Sequence, residues 1–279
     1  MSKKVLVPLA NGFEEIEFVS IVDTLRRAQI EVLIAGVSDE GSASGAGGAK
    51  SSGTSGTNGL KTDSAGECGA GAKDSASGVG RSYTGAHGIA ISADTMLDSL
   101  DSSVLAGFDG VALAGGWQGM LNLKASQKLR EILRKFKAEG KLVSAICASP
   151  IVLDAAGVLG GKFACYPSCE KFAYEDTSAG SDSDFSENAG ADSSTGVSAS
   201  ARKGPSDTSK NTEKPLKGAY QPKASVVREG NLITAAGPAT GVLFALEIIA
   251  YLLGQAQSQS IASQMLIPYL NHSAEILRD

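Results

Sequence analysis

Short apolar runs alternate with amphipathic stretches along most of this chain, and this alternation restricts its fold more than any other feature. Apolar runs bounded by turn residues predict buried strands, and apolar residues at helical spacing predict helices. We predict strands at residues 5–10, 30–35, 89–92, 110–114, 142–146, 163–166, 224–227 and 232–235. We predict helices at residues 14–27, 126–139, 150–156, 238–253 and 257–266. Such an order favours an α/β fold with a mostly parallel central sheet covered on both faces, a three-layer sandwich.

Two segments of low complexity interrupt this pattern. Residues 39–80 are dominated by Gly, Ser and Ala, and residues 176–221 by Ser, Asp, Ala, Gly and Lys. Neither segment has apolar periodicity, so neither buries enough surface to offset the entropy of ordering, and we predict two flexible insertions. Roughly 190 residues remain, a usual size for one domain. Because the entropy of loop closure grows slowly with length, we predict a single domain over residues 1–279.

Composition excludes several functional classes. The formal net charge is -5 and there is no strongly basic block, so a nucleic-acid partner is not indicated. The first residues, MSKKVLVPLA, are too short for a signal peptide, and the longest apolar stretch, residues 242–253, contains Glu247. We therefore expect a cytoplasmic protein without a membrane partner, whose cysteines are reduced thiols.

The strongest candidate for chemistry is Cys147, which lies between the strand at residues 142–146 and a helix that begins at Pro150. Ligand sites in open α/β sheets lie at this edge, and a strand-to-helix turn presents a nucleophile there. The start of the helix favours a thiolate and is expected to lower the thiol pKa, and the amide of Ala148 would face an anion formed there. The same pattern also fits a cysteine that is a small buried apolar residue.

Paired glycines end the strand at residues 110–114. Gly115 and Gly116 permit close backbone approach and leave an amide that can complete an oxyanion pocket with Ala148. We take Gly116 as a candidate donor and Gly115 as a candidate wall of the site, although Gly-Gly is also an ordinary turn.

Three acids open the first helix. Glu14, Glu15 and Glu17 are typical of a helix start, where negative charge stabilises the dipole. Glu17 lies deepest in the helix, beside Ile16, and is the best candidate for an acid or base. The residues alone favour the purely stabilising role.

Histidine is scarce in this chain. His87 precedes a predicted strand and can pair with a carboxylate at a site or subunit boundary, while exposure is the ordinary expectation for it and for His272. Cys165 and Cys169 are four positions apart without a partner histidine or a second cysteine pair, so no metal site is predicted. Cys165 is a candidate to resolve an oxidised Cys147 if the two are close, and Cys68 has no evident role.

Taken together, these segments resemble the ThiJ/PfpI superfamily, in its DJ-one branch. The resemblance runs through residues 5–36, 85–94, 109–116 (DGVALAGG), 142–150 (LVSAICASP) and 229–245 (EGNLITAAGPATGVLFA). It covers nearly all of the chain outside the insertions, and the order of the motifs makes it specific. It implies a flavodoxin-like or Rossmann-like fold and a homodimer, with the first helix and the His87 segment near the interface.

The resemblance also implies roles for individual residues. Cys147 matches the family's elbow cysteine, Glu17 the glutamate that shares a proton with it, and Gly116 and Ala148 the backbone donors beside the sulfur. For Glu17, this outweighs the purely stabilising interpretation. Tyr166, a second candidate wall, falls where some members carry a histidine, so a Cys-His dyad and a peptidase are not expected.

The activity implied is that of a cofactor-free cysteine enzyme acting on a small carbonyl substrate. It would convert 2-oxoaldehydes such as methylglyoxal and glyoxal to 2-hydroxy acids, a glyoxalase III-type reaction related to protein deglycase activity. The alternative is an oxidative-stress sensor or protective protein in which Cys147 is oxidised to sulfinic acid. A third hypothesis, supported by composition alone, is a scaffold whose insertions recruit partners.

Overall fold

The computed structural model describes residues 2–38, 80–173, 214–267 and 276–277. Most of both predicted insertions, together with Cys68 and His272, lies outside these residues, so their flexibility stays a prediction. The predicted bound at residue 221 was wrong, because the described chain resumes at Lys214 and forms a strand at Ala219–Tyr220. Leu216 is buried there and anchors the segment, although its neighbours are polar.

Strands and helices alternate through the described ranges. The strands are β1 (Lys4–Leu9), β2 (Glu31–Gly36), β3 (Ser82–Thr84), β4 (Ala90–Ser92), β5 (Thr95–Met96), β6 (Gly110–Leu113), β7 (Leu142–Ile146), β8 (Lys162–Phe163), β9 (Ala219–Tyr220), β10 (Val226–Glu229), β11 (Leu232–Ala235) and β12 (Ile276–Leu277). The α-helices are α1 (Glu15–Arg27), α2 (Ser102–Ala106), α3 (Trp117–Ala125), α4 (Gln127–Ala138), α5 (Pro150–Ala155), α6 (Gly241–Leu253) and α7 (Gln255–Gln264). Short 3-10 helices lie at Leu97–Ser99, Cys169–Lys171 and Pro238–Thr240.

Eight of these strands form one central sheet in the order β12-β10-β11-β7-β6-β1-β2-β5. Neighbouring strands are parallel except for β10 and β11, which form an antiparallel pair. The predicted mostly parallel sheet is therefore confirmed. Because β1, β6 and β7 are central and parallel, their carboxyl ends meet at one edge, where the site lies.

Helices cover both faces of this sheet. Along β1, Val5 and Val7 face the core formed with α1, α6 and α7, whereas Leu6 faces the core formed with α3, α4 and α5. This alternation follows from the two-residue period of a strand, and the continuous apolar run of β1 reflects burial on both sides. The predicted three-layer sandwich is confirmed.

Several short elements differ from the sequence prediction. The predicted strand at residues 163–166 is reduced to β8, which pairs with β9 outside the central sheet, and β4 pairs with β3 rather than joining that sheet. Helix α3 was missed, because it directly follows the Gly115-Gly116 turn and has only a weak apolar stripe of Met120 and Leu123.

Helix α6 is strongly apolar and lies against α1. Its single acid, Glu247, is buried and paired with Arg228, whose Nη1 is 3.1 Å from Oε1. Within the described ranges, no helix combines the length and the apolar composition needed to cross a membrane.

Candidate active site

Cys147 occupies a strained turn at the carboxyl end of β7. Its φ is 64°, in the left-handed region that costs a non-glycine residue about 1–3 kcal/mol. Two backbone hydrogen bonds hold it there: its N–H donates to the Ala235 carbonyl at 3.0 Å, and its carbonyl accepts from the Tyr166 N–H at 2.9 Å. The residue is 8% exposed, so the thiol at this strand-to-helix turn is nearly enclosed.

Ser149, which the sequence analysis did not single out, ties this elbow to the end of β6. Its hydroxyl donates to the Ala114 carbonyl at 2.6 Å, and both residues are buried. A serine just before Pro150 would ordinarily signal a helix cap, but no capping bond forms from this side chain. The contact between the two loops therefore could not be read from the sequence.

Gly116 brings a backbone donor to the sulfur. It has φ 89°, and a methyl group placed on it would lie 2.3 Å from the Gly12 carbonyl oxygen, so only glycine fits there. A hydrogen bond from the Gly116 backbone lowers the pKa of Cys147. Ala148 is buried directly after the elbow, and its part as a second donor stays a prediction.

Glu17 reaches this point from the first turn of α1. The residue is fully buried, and its Oε2 accepts the Gly115 N–H at 2.7 Å. A methyl group on Gly115 would lie 2.7 Å from that Oε2 and 3.1 Å from Cys147 Sγ, so carboxyl and thiol share one small space. The other oxygen, Oε1, is buried with no hydrogen-bond partner among the described residues. Such an unpaired oxygen is costly in a folded protein, and a catalytic role is one of the explanations for it.

The electrostatics of this pair differ from the sequence prediction. Burial raises the pKa of Glu17 to about 7, although hydrogen bonds from Gly115 and Cys147 lower it. Burial also raises the pKa of the Cys147 thiol, and the negative charge of Glu17 raises it further. The expected lowering of the thiol pKa was therefore wrong. Burial and the neighbouring carboxylate both disfavour the thiolate, and the strand–turn–helix pattern of the sequence reveals neither of them.

This arrangement has a direct chemical consequence. Two buried acids compete to avoid a second negative charge, so the pair keeps a single proton, on the thiol, once Glu17 has ionised. A carboxylate with a pKa of about 7 is well matched to accept the thiol proton as the sulfur attacks an electrophile. The structure thus places a potential general base beside the thiol.

Aromatic side chains border the site. Tyr166 is 51% exposed and lies against Gly237, where an added methyl group would be 3.2 Å from the ring. Trp117, which follows Gly116, is 49% exposed and contacts Phe172 edge-on with ring centroids 5.5 Å apart. Tyr166 is joined to the elbow through its N–H, and its part as a wall of the site stays a prediction.

His87 lies beside the start of α1. Its Nδ1 is 2.8 Å from Glu15 Oε2, so the predicted pairing with a carboxylate is confirmed. Glu14, Glu15 and His87 place three potential metal-ligand atoms within 4.8 Å of one another. Their atoms already serve the protein, since Glu15 accepts from His87 and Glu14 accepts the Glu17 N–H at 2.6 Å.

Known proteins share this architecture. The family model described as the DJ-1/PfpI family matches residues 3–251. Protein dj-1beta of Drosophila melanogaster is 29% identical over 270 residues, which cover 96% of this chain and all of that protein. The crystal structure of Drosophila melanogaster DJ-1beta matches with a TM-score of 0.62 at 27% identity, covering 96% of this chain and 100% of that one.

A shorter match concerns a protein named for an activity. Deglycase PfpI of Pyrococcus furiosus is 37% identical over 79 residues, which cover 28% of this chain and 45% of that protein. The family model, by contrast, spans the central sheet from β1 to α6 and both halves of the Glu17–Cys147 pair. The resemblance seen in the sequence is confirmed, and the chain belongs to the DJ-1/PfpI family.

Proposed function

We propose that this protein is a cofactor-free cysteine enzyme that converts 2-oxoaldehydes such as methylglyoxal and glyoxal to 2-hydroxy acids. The observation that carries this proposal is the buried pair of Cys147 and Glu17, with a backbone donor from Gly116 at the sulfur. A family that includes proteins named deglycases gives independent support.

The first step follows from the proton shared by the pair. Glu17 accepts the thiol proton while the Cys147 sulfur bonds to the aldehyde carbon, which gives a hemithioacetal. The oxygen that develops negative charge is stabilised by the Gly116 N–H, with Ala148 as the proposed second donor.

The second step isomerises this adduct. Glu17 first gives the proton that it took from the thiol to the hemithioacetal oxygen, and then removes the proton of the former aldehyde carbon while the adjacent carbonyl oxygen gains a proton, which gives an enediol. A proton is then added to the adjacent carbon and the former aldehyde oxygen loses its proton, so the adduct becomes a thioester of the 2-hydroxy acid without net gain or loss of protons. Water then cleaves the thioester, which releases the acid and restores the thiol. The overall change is the addition of one water to the 2-oxoaldehyde, so no external oxidant or reductant is consumed.

The test is the conversion of methylglyoxal to lactate by the purified protein. Cys147→Ser should abolish turnover, and Glu17→Gln should lower kcat strongly. Cys165→Ser is the matched control, since it removes another buried thiol whose sulfur faces Glu170 rather than Glu17. Equal rates for the wild type and Cys147→Ser would end the proposal. Activity towards glycated amines, measured in the same set, would show whether the protein also acts as a deglycase.

A second candidate function is supported by the orphaned oxygen of Glu17. If Cys147 is oxidised to sulfinic acid, a protonated Glu17 can donate to that product, which would stabilise it in an oxidative-stress sensor. Selective double oxidation of Cys147 by dilute peroxide, without dicarbonyl turnover, would favour this sensor over the enzyme.

We also propose a homodimer in the cytoplasm. Ile16 and Val19 on α1 are 61% and 50% exposed, which is unusual for two apolar residues on the helix that carries Glu17. Light scattering should give the mass of a dimer, and Ile16→Glu should shift it towards a monomer. A wild-type monomer at micromolar concentration would remove this proposal.

A further inference from the structure

A cavity of about 750 Å³ lies between α4, the end of α5 and the segment of chain that resumes at Lys214. This volume is within the range of sites that hold small ligands. The residues that line it include neither Glu17 nor Cys147, so the cavity is separate from the candidate active site. The proposed dicarbonyl chemistry makes no use of it.

The cavity is positively charged, although the protein as a whole is acidic. Four cationic side chains line it against a single carboxylate, Asp154, so its formal charge is +3, whereas that of the whole chain is -5. The cations are Arg130, Arg134, Lys214 and Lys217. A concave surface lined by one sign of charge focuses the field and attracts ions of the opposite sign, so this cavity favours an anion.

The two arginines lie on the same face of α4. Arg130 and Arg134 are four residues apart in this helix, so their side chains are neighbours separated by about one turn. The Arg130 Nη1 donates to the Lys124 carbonyl at 2.6 Å, which fixes the guanidinium group. Arg134 is exposed and forms no ion pair within the described part of the chain. Because guanidinium groups bind phosphate through paired hydrogen bonds, this face favours a phosphate group over other anions.

A second wall of the cavity is anchored by the fold. Leu216 is 4% exposed, and its N–H donates to the Glu170 carbonyl at 2.8 Å. The next residue, Lys217, donates its backbone N–H to Asp154 Oδ1 at 3.0 Å, which joins this wall to α5. The Lys217 ammonium group has no ion pair among the described residues. A further positive charge is thus held on a different element from the arginines.

Asp154 supplies an acceptor among these cations. It is 8% exposed on the last turn of α5, and the Lys217 N–H is the one hydrogen bond to its carboxylate from the residues that the structure describes. An ionised carboxylate has about four acceptor positions, so others remain for a ligand. A phosphate would be repelled by this group, whereas a hydroxyl can donate to it. The ligand that fits both features carries hydroxyl groups beside its phosphate.

We propose that this cavity binds a soluble phosphorylated polyhydroxy compound, the chemical class of sugar phosphates and polyol phosphates. Arg130 and Arg134 hold the phosphate, Lys217 adds positive charge, and Asp154 accepts a hydrogen bond from a hydroxyl group. Binding is non-covalent and does not involve Cys147, so the proposal is independent of the proposed enzymatic activity.

The experiment measures binding to the full chain by isothermal titration calorimetry in a buffer without phosphate. The probes are sorbitol 6-phosphate, sorbitol and inorganic phosphate. Sorbitol 6-phosphate has no carbonyl group to which Cys147 could add, and Cys147→Ser shows whether the active site takes part. Titrations at two ionic strengths measure the electrostatic contribution, since salt screens it. Sedimentation with vesicles of phosphatidylcholine and phosphatidylinositol 4-phosphate tests a lipid headgroup as the source of the same chemistry.

We expect the wild type and Cys147→Ser to bind sorbitol 6-phosphate equally, more tightly than inorganic phosphate, and more weakly as salt is added. Sorbitol alone should not bind. Arg134→Gln should weaken binding by about tenfold, the usual effect of losing a hydrogen bond to a charged group, and Arg134→Lys should weaken it less. Lys128→Gln is the matched control, because this lysine of α4 acts on Asp101 and does not line the cavity. Its affinity should be nearly that of the wild type.

Asp154→Asn gives a result that a damaged fold would not imitate. Loss of the negative charge should tighten the binding of inorganic phosphate, while the preference for sorbitol 6-phosphate over inorganic phosphate should narrow. The proposal would be overturned if the wild type did not bind sorbitol 6-phosphate, if Arg134→Gln bound it as tightly as the wild type, or if Cys147→Ser lost binding. Retention on the vesicles without binding of the soluble probe would also overturn it.

Discussion

Replacing Glu17 with Gln tests whether a carboxylate, rather than the helix, activates Cys147. The amide keeps the size of the side chain and can still accept the Gly115 N–H, which is bonded at 2.7 Å in the wild type. It cannot accept the thiol proton. The change therefore removes the base and its charge while leaving the packing of the elbow nearly unaltered.

The magnitude follows from the two pKa values. In the wild type, reactivity should rise as Glu17 ionises, with a midpoint at its pKa of about 7. In Glu17→Gln the thiol must ionise unaided, and burial keeps its pKa above the ordinary value of 9.0. Since each pKa unit is a factor of ten, less than about 1% of the thiol is ionised at pH 7. We expect alkylation at pH 7 to slow by about 50-fold or more.

The assay is the rate of Cys147 alkylation by iodoacetamide between pH 5 and pH 10, followed by mass spectrometry of its tryptic peptide. Glu14→Gln is the matched control, because the charge of Glu14 raises the pKa of Glu17. Its midpoint should move slightly below that of the wild type, whereas the midpoint of Glu17→Gln should move above pH 9. An unchanged midpoint in Glu17→Gln would refute the general-base reasoning.

The pH dependence of the free energy of unfolding gives a second test of the Glu17→Gln change, separate from the rate of alkylation. The pKa of Glu17 is higher in the folded protein than its ordinary value of 4.5, so its contribution to stability is present below pH 4.5 and is lost as pH rises through about 7. At pH 8 this loss is about 3 kcal/mol, from a shift of about 2.5 units at about 1.4 kcal/mol each. Between pH 4.5 and pH 8, Glu17→Gln should therefore lose about 3 kcal/mol less stability in urea unfolding than the wild type.

Three further predictions concern the surroundings of the pair. Gly115→Ala should lower the stability by about 1–3 kcal/mol and abolish turnover, because its methyl group would lie 2.6 Å from Cys147 Cβ; urea unfolding and the lactate assay measure both effects, and full activity would contradict it. Ser149→Ala should cost about 1–3 kcal/mol in urea unfolding, because it leaves a buried carbonyl oxygen without its hydrogen bond. His87→Ala should lower the Tm at pH 6 more than at pH 9. Pairing with Glu15 raises the pKa of His87, so this stabilisation is present below pH 6.5 and is lost as pH rises through the raised value; equal losses at both pH values would count against it.

Much of this protein is determined locally by its sequence. The alternation of buried runs and helical stretches was enough to predict the layers and the parallel sheet, because the period of the apolar residues is a property of the chain itself. The position of Cys147 between a strand and a helix is equally local, and so was the choice of Gly116 beside it.

Other features were decided only by tertiary structure. The sequence places Cys147 at a helix start, which favours a low thiol pKa, but the fold buries it beside Glu17, a residue 130 positions away in the chain, and the pKa rises instead. The bonds from Ser149 to Ala114 and from Tyr166 to Cys147 likewise join segments that only folding brings together. A local pattern specifies which groups a chain offers, whereas burial and the distance between charges depend on the whole fold and set how those groups ionise.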